Sequence, residues 1–90
     1  MAIRQLMLSK KIEQRKAALA ELMKISTDLD KRTADLEKSI EEAKTDEEVA
    51  AVEEETGKLE NDKKDFDEKK GKLEGEIADL EGELGELNSK

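Results

Sequence analysis

IEEAKTDEEV, residues Ile40–Val49, is the stretch that decides how this chain folds. A stripe of residues leads up to it at spacings that alternate between four and three: Leu8, Ile12, Arg15, Leu19, Leu22, Ser26, Leu29, Thr33, Leu36, Ile40, Ala43. A second stripe leads away from it: Val49, Val52, Thr56, Leu59, Lys63, Phe66, Lys70, Leu73, Ile77, Leu80, Leu84, Leu87. Each is the 3.5-residue repeat of a coiled-coil seam. From Ile40 to Val49, however, the count is nine, a heptad plus two. Coiled-coil discontinuities insert three or four residues. An offset of two would swing the second stripe to another side of a continuous rod, so the stretch predicts a reversal between two long helices. Thr45-Asp46-Glu47-Glu48 supplies a start for the second. Thr45 can accept from the Glu48 amide while the Glu48 carboxylate reaches back to the Thr45 amide, and the acids suit the positive end of a helix dipole. The expected elements are a helix over about 4–43, a turn over about 44–46 and a helix over about 46–87, with Asn88-Ser89-Lys90 frayed.

Register supports the reversal. When residues whose numbers sum to 92 are set opposite one another, Ile40 meets Val52, Leu36 meets Thr56, Thr33 meets Leu59 and Leu29 meets Lys63. Further along, Ser26 meets Phe66, Leu22 meets Lys70, Leu19 meets Leu73, Arg15 meets Ile77, Ile12 meets Leu80 and Leu8 meets Leu84. Every layer holds an apolar residue, and the large Phe66 faces the small Ser26, which fills space without strain. Lys63, Lys70 and Arg15 read as register devices, with stems along the core and charges reaching water. A parallel dimer of the second helix is disfavoured. It would set Glu55 by Glu60, Asp62 by Asp67 and Glu76 by Glu81, leaving Lys69–Glu74 as the attractive pair.

Composition bounds the rest. Of 90 residues 47% are charged, and there is one aromatic residue with no proline, histidine or cysteine, which fits helical coiled coils and not globular enzymes. Such a composition also fits disorder, but the sustained repeat opposes it. Residues 1–44 carry ten bases and eight acids, residues 45–90 seven and seventeen. Folding back would bring the basic start (six bases, two acids in residues 1–24) beside the acidic end (one base, six acids in residues 73–90). Without histidine or cysteine there is neither an imidazole base nor a thiolate, and no base stands by Ser9, Ser26, Ser39 or Ser89. Acidic runs such as Glu53-Glu54-Glu55 read as solvated helix faces and lack EF-hand spacing. No enzyme, cofactor or metal site is expected. Lys10, Lys11, Arg15 and Lys16 lack the arginine richness of a basic zipper arm, and net charge −8 opposes sequence-specific nucleic-acid binding. No segment reads as a secretory signal or approaches the ~20 apolar residues of a membrane span, so a cytoplasmic, non-membrane protein is expected.

One seam buries little apolar surface, and small domains are marginal alone, so self-association into a helical bundle is expected. The first helix carries apolar residues beside its seam at Ala18, Met23 and Ile25, with Ile3 and Met7 near its start. A wider stripe needs a second neighbour. The residues expected to carry folding and self-association are Leu8, Ile12, Leu19, Leu22, Ile25, Leu29, Leu36, Ile40, Val52, Leu59, Phe66, Leu73, Ile77, Leu80 and Leu84. Among them Leu19, Leu22, Ile25 and Leu29 are the expected contacts to neighbouring chains, with Thr45 and Glu48 as the helix cap. Gly57, Gly71, Gly75, Gly82 and Gly85 all fall on the outward side of the second helix, where each costs about 0.5–1 kcal/mol relative to alanine.

MAIRQLMLSKKIEQRKAALAEL, LEKSIEEAKTDEEVAAVEEE and KKGKLEGEIADLEGELGELNSK together cover nearly the whole chain, with IRQLMLSKKIEQRK and KTDEEVAAVEEE the most distinctive parts. They resemble the N-terminal delta domain of major capsid proteins from tailed phages of Gram-positive bacteria. The resemblance implies a built-in scaffold ahead of a shell-forming domain. Such a segment would lie inside the procapsid in the host bacterial cytoplasm and help subunits gather. A maturation protease would then remove it, leaving it absent or reduced in the mature virion. Neighbouring capsid subunits are the implied partners, with the maturation protease or the portal as further contacts. Gly75, Asp79 and Gly85 depart from the expected Ala, Glu or Leu and imply a weaker C-terminal helix. The other reading is a generic structural or adaptor coiled-coil oligomerisation module.

Overall fold

A computed structural model describes residues 2–89 and shows two long helices, α1 (Ala2–Glu42) and α2 (Asp46–Asn88), folded back on each other as an antiparallel hairpin. The molecule measures 68 × 15 × 14 Å. That is the length of about 45 residues at 1.5 Å each, where a single helix of the whole chain would run to roughly 130 Å. The short dimensions are those of two helices side by side. The reversal predicted from the nine-residue gap is therefore present.

The reversal occupies Ala43–Thr45, one residue earlier than the expected turn. No described residue has positive φ, so the chain turns without a left-handed residue or a cis bond. What stops one helix and starts the other is the cap. Thr45 is extended (φ −113°, ψ 160°), and its Oγ1 accepts from the Glu48 amide at 3.1 Å. Three acids follow in the first turn of α2, where the helix dipole favours them. The reciprocal arm differs from expectation. The Glu48 carboxylate accepts from the Lys44 amide at 3.3 Å and not from that of Thr45, so it covers a donor one residue earlier. The outer ends also extend past their expected limits, to Ala2 and to Asn88. Asn88 is held because Gln5 Nε2 donates to its Oδ1 at 2.7 Å, joining the two ends of the chain.

Four cross-helix polar contacts mark the register. Besides Gln5–Asn88, Arg15 Nε donates to Glu76 Oε2 at 2.7 Å, Arg32 Nη1 to Asp62 Oδ2 at 2.6 Å, and Lys16 Nζ lies 3.9 Å from Glu81 Oε2. Their residue numbers sum to 91–97, close to the alignment drawn from the two seams. The buried side chains are Leu8, Ile12, Leu22, Leu29, Leu59, Phe66 and Ile77. Leu22, Leu29, Leu59 and Phe66 form one cluster across the two helices, with Leu19, Leu36 and Leu73 packed against it.

Leu22 lines a groove with Leu73, and Leu29 one with Phe66. Lys63, Lys70 and Arg15 are half-buried, as methylene stems lying along a core would be. Arg15 in addition donates to Glu76 across the seam, while 42% of its side chain stays in solvent. Thr33 and Thr56 donate their hydroxyls to the carbonyls of Leu29 and Val52, both at 2.8 Å. This leaves their methyl groups free for the seam. Among the described residues no buried side-chain nitrogen or oxygen lacks a partner.

Candidate self-association surface

The seam residues expected to mediate self-association separate into two sets. Leu8, Ile12, Leu22, Leu29, Leu59, Phe66 and Ile77 are buried, while Leu19, Leu36, Val52, Leu73, Leu80 and Leu84 are half-buried. These thirteen residues lie along the contact between α1 and α2 and hold the hairpin together. Leu22 (9% exposed) and Leu29 (4%) are largely covered by α2, and what they still show lines shallow grooves shared with Ile25. The remaining two, Ile25 and Ile40, are exposed at 45% and 56%. Ile40 departs from the seam because the helices do not close over their last turn beside the reversal. Val49, the first seam residue of α2, is likewise 44% exposed.

Large apolar side chains remain in solvent at Ile3, Leu6, Met7, Met23, Ile25, Ile40 and Val49. All but Val49 belong to α1, as the wider stripe of the first helix implies. They are grouped in space. Ile3, Leu6 and Met7 share one side of the first two turns, since residues three and four apart are neighbours on a helix. Ile25 lies with Ala18, Leu22 and Leu73 in a shallow groove at mid-length, flanked by Lys69 and Glu76. Ile40, Ala43, Val49, Val52 and Thr56 line a groove of about 420 Å³ beside the turn, rimmed by Glu53 and Glu60. Sequence periodicity missed the apolar character of Leu6 because it lies outside both seams. The signal that could have found it is its spacing from Ile3.

Charge is placed around these grooves by the antiparallel register. Arg4 and Lys11 stand with Glu83 and Glu86 along the open end of the hairpin, and Arg15, Lys11, Glu76 and Asp79 gather one step further in. All these groups are solvated. Arg15 and Glu76 keep 42% and 36% of their side-chain surface, and Arg32 and Asp62 keep 41% and 51%. Such pairs contribute tenths of a kcal/mol each and act mainly on orientation. Among the described residues no three acidic side chains converge as metal ligands, and no helix is long and apolar enough to cross a membrane. The five glycines of α2 sit on its outward side, and a Cβ built on any of them meets nothing within 4 Å. That face holds no close-packed helix that would require their smallness.

The geometry therefore offers apolar and charged surface for binding. Compared with known proteins, the chain matches no family model, no curated protein and no solved structure.

Proposed function

We propose that this hairpin is an assembly module: an internal scaffolding segment that gathers copies of the chain it belongs to, as the capsid-protein delta domains it resembles would, and that is removed by proteolysis once assembly is complete. The observation carrying this reading is the asymmetry of the two helices. The seam consumes the apolar face of α2 almost entirely, yet α1 keeps six large apolar side chains in solvent after the hairpin has formed. A face of that kind is stabilised by a second neighbour. Each patch is small, so each contact is weak. Many copies held on one growing shell turn weak contacts into avidity of about 10²–10⁴ over a single one. Weak single contacts also suit a segment that must be released.

The reading carries partners and a place with it: neighbouring capsid subunits, the interior of a procapsid in the host bacterial cytoplasm, and the maturation protease that cuts the segment away. The test uses the parent protein. Full-length subunits bearing the hairpin should close into particles, whereas subunits lacking residues 1–90 should give fewer or misshapen ones, scored by sedimentation and electron microscopy. Equal yields of regular particles would remove the scaffolding role. A parent gene with no shell-forming domain would leave only the adaptor reading.

A further inference from the structure

Charge is left unbalanced at the turn end of the rod. Residues 34–60, whose two arms the register sets side by side, hold eleven acids and three bases, a net of −8. The rest of the chain sums to zero, and there acids and bases stand together. Arg4 and Lys11 share a groove with Glu83 and Glu86, and Arg15–Glu76, Lys16–Glu81 and Arg32–Asp62 pair across the helices. Among the described residues no ion pair crosses the helices within 34–60, and Lys58 is held by Glu55 of its own helix. The register that sets Lys16 3.9 Å from Glu81 also sets Glu37 level with Glu60 and Asp30 level with Asp67, acid beside acid on the same flank. Extending the block to residue 64 adds Lys63 and Lys64 with Asp62 and still leaves −7.

The same end holds open apolar surface. Ile40 and Val49, exposed at 56% and 44%, line with Val52 the groove of about 420 Å³ that Glu53 and Glu60 rim. Gly57 stands in its wall, and a Cβ there would meet nothing within 4 Å, so the groove is wide enough to admit side chains from outside. Glu53 and Glu60 are one heptad apart on α2, a spacing of about 10 Å. We propose that this groove binds a basic amphipathic helix of another protein. Two aliphatic side chains one turn apart seat against Ile40, Val49 and Val52, and the lysines or arginines beside them lie against Glu53 and Glu60. Apolar burial supplies the contact, and the unneutralised acids select a cationic partner and exclude an acidic one. The partner is a different chain because the bases of this one are already matched. Those at the open end stand beside Glu76, Glu81, Glu83 and Glu86, so a second copy brings no surplus of positive charge to the groove.

The probe is a capped, alanine-based peptide of about 15 residues, long enough to hold a helix, with two leucines one turn apart and lysines beside them. Binding is read by fluorescence anisotropy at low salt and by amide shifts of the hairpin. The peptide should saturate wild type and move the amides of Ile40, Val49, Val52 and Thr56. Glu53→Gln with Glu60→Gln should weaken binding about tenfold. Exchanging the two leucines of the peptide for alanine should also cost about tenfold or more, and a peptide with glutamate in place of lysine should not bind. Glu83→Gln with Glu86→Gln removes the same charge at the open end and should change affinity by less than about twofold, because that end lies beyond the reach of screened charge. All four glutamates are exposed, so both variants should keep wild-type helicity by circular dichroism. Equal weakening by the two variants, or an alanine peptide that binds as well as the leucine one, would reduce the contact to general attraction by an acidic protein and overturn the groove. No binding would overturn it as well. Groove amides that shift with hairpin concentration in the absence of peptide would assign the groove to a second copy and sink the foreign partner.

Discussion

A single hydroxyl does much of the work of ending one helix and beginning the other. The last turn of α1 contains no base, and Glu41 and Glu42 oppose the negative end of its dipole. The reversal thus depends on initiation of α2 by Thr45 more than on termination of α1. Thr45→Ala should lower unfolding free energy by about 1 kcal/mol, and Thr45→Gly by only a few tenths, measured by urea denaturation. An equal loss in both would mean that the Thr45–Glu48 bond contributes little. Burial separates seam residues that the periodicity treats alike. Leu29, at 4% exposure, should cost about 2–5 kcal/mol when cut to alanine, enough to melt a hairpin this slender. Ile40→Ala, on the same stripe but 56% exposed, should change monomer stability by no more than about 0.5 kcal/mol. Similar losses at the two sites would show the seam closed over the turn.

The two helices contribute unequally. α1 carries the surplus apolar surface, whereas α2 carries 17 of the 25 acids and all five glycines. Four of those glycines lie beyond residue 70, on a face with no neighbour, so they lower helix propensity without a packing return. Replacing Gly71, Gly75, Gly82 and Gly85 together by alanine should stabilise the hairpin by about 2–4 kcal/mol, at 0.5–1 kcal/mol each. The gain should appear as slower amide exchange over residues 71–88, with residues 46–60 changed less. No gain would indicate that this face is covered by something a methyl group disturbs. A loosely held last third would also open more readily to a protease, as the proposed removal requires.

At the scale of the molecule, the hairpin sets distances that no other arrangement of the same helices reproduces. Spin labels at Gln5 and Asn88 should lie within a few side-chain lengths of each other, because those side chains hydrogen-bond at 2.7 Å. Labels at Gln5 and Thr45 should lie about 60 Å apart, the rise of forty helical residues. Diluting labelled protein with unlabelled protein should leave both distances unchanged. A short distance between residues 5 and 88 that vanishes on dilution would mean that the ends meet between chains, and the hairpin would have to be redrawn as an extended assembly.

The two seams, the reversal between Ile40 and Val49, the Thr45 cap and the pairing of α1 with α2 could all be read from residue spacing, because heptad periodicity and capping are local properties of the chain. Spacing could not say which stripe residues the partner helix covers. Leu29 and Ile40 stand on the same stripe, yet one is buried against α2 and the other is 56% exposed, since burial depends on how two helices meet and not on either alone. The same holds for Glu48, whose carboxylate chose the Lys44 amide once the turn had a shape. The apolar tips belong to tertiary structure as well. Folding back is what places the acids flanking the turn at one end of the rod and sets Arg4, Met7 and Lys11 beside Glu83 and Glu86 at the other.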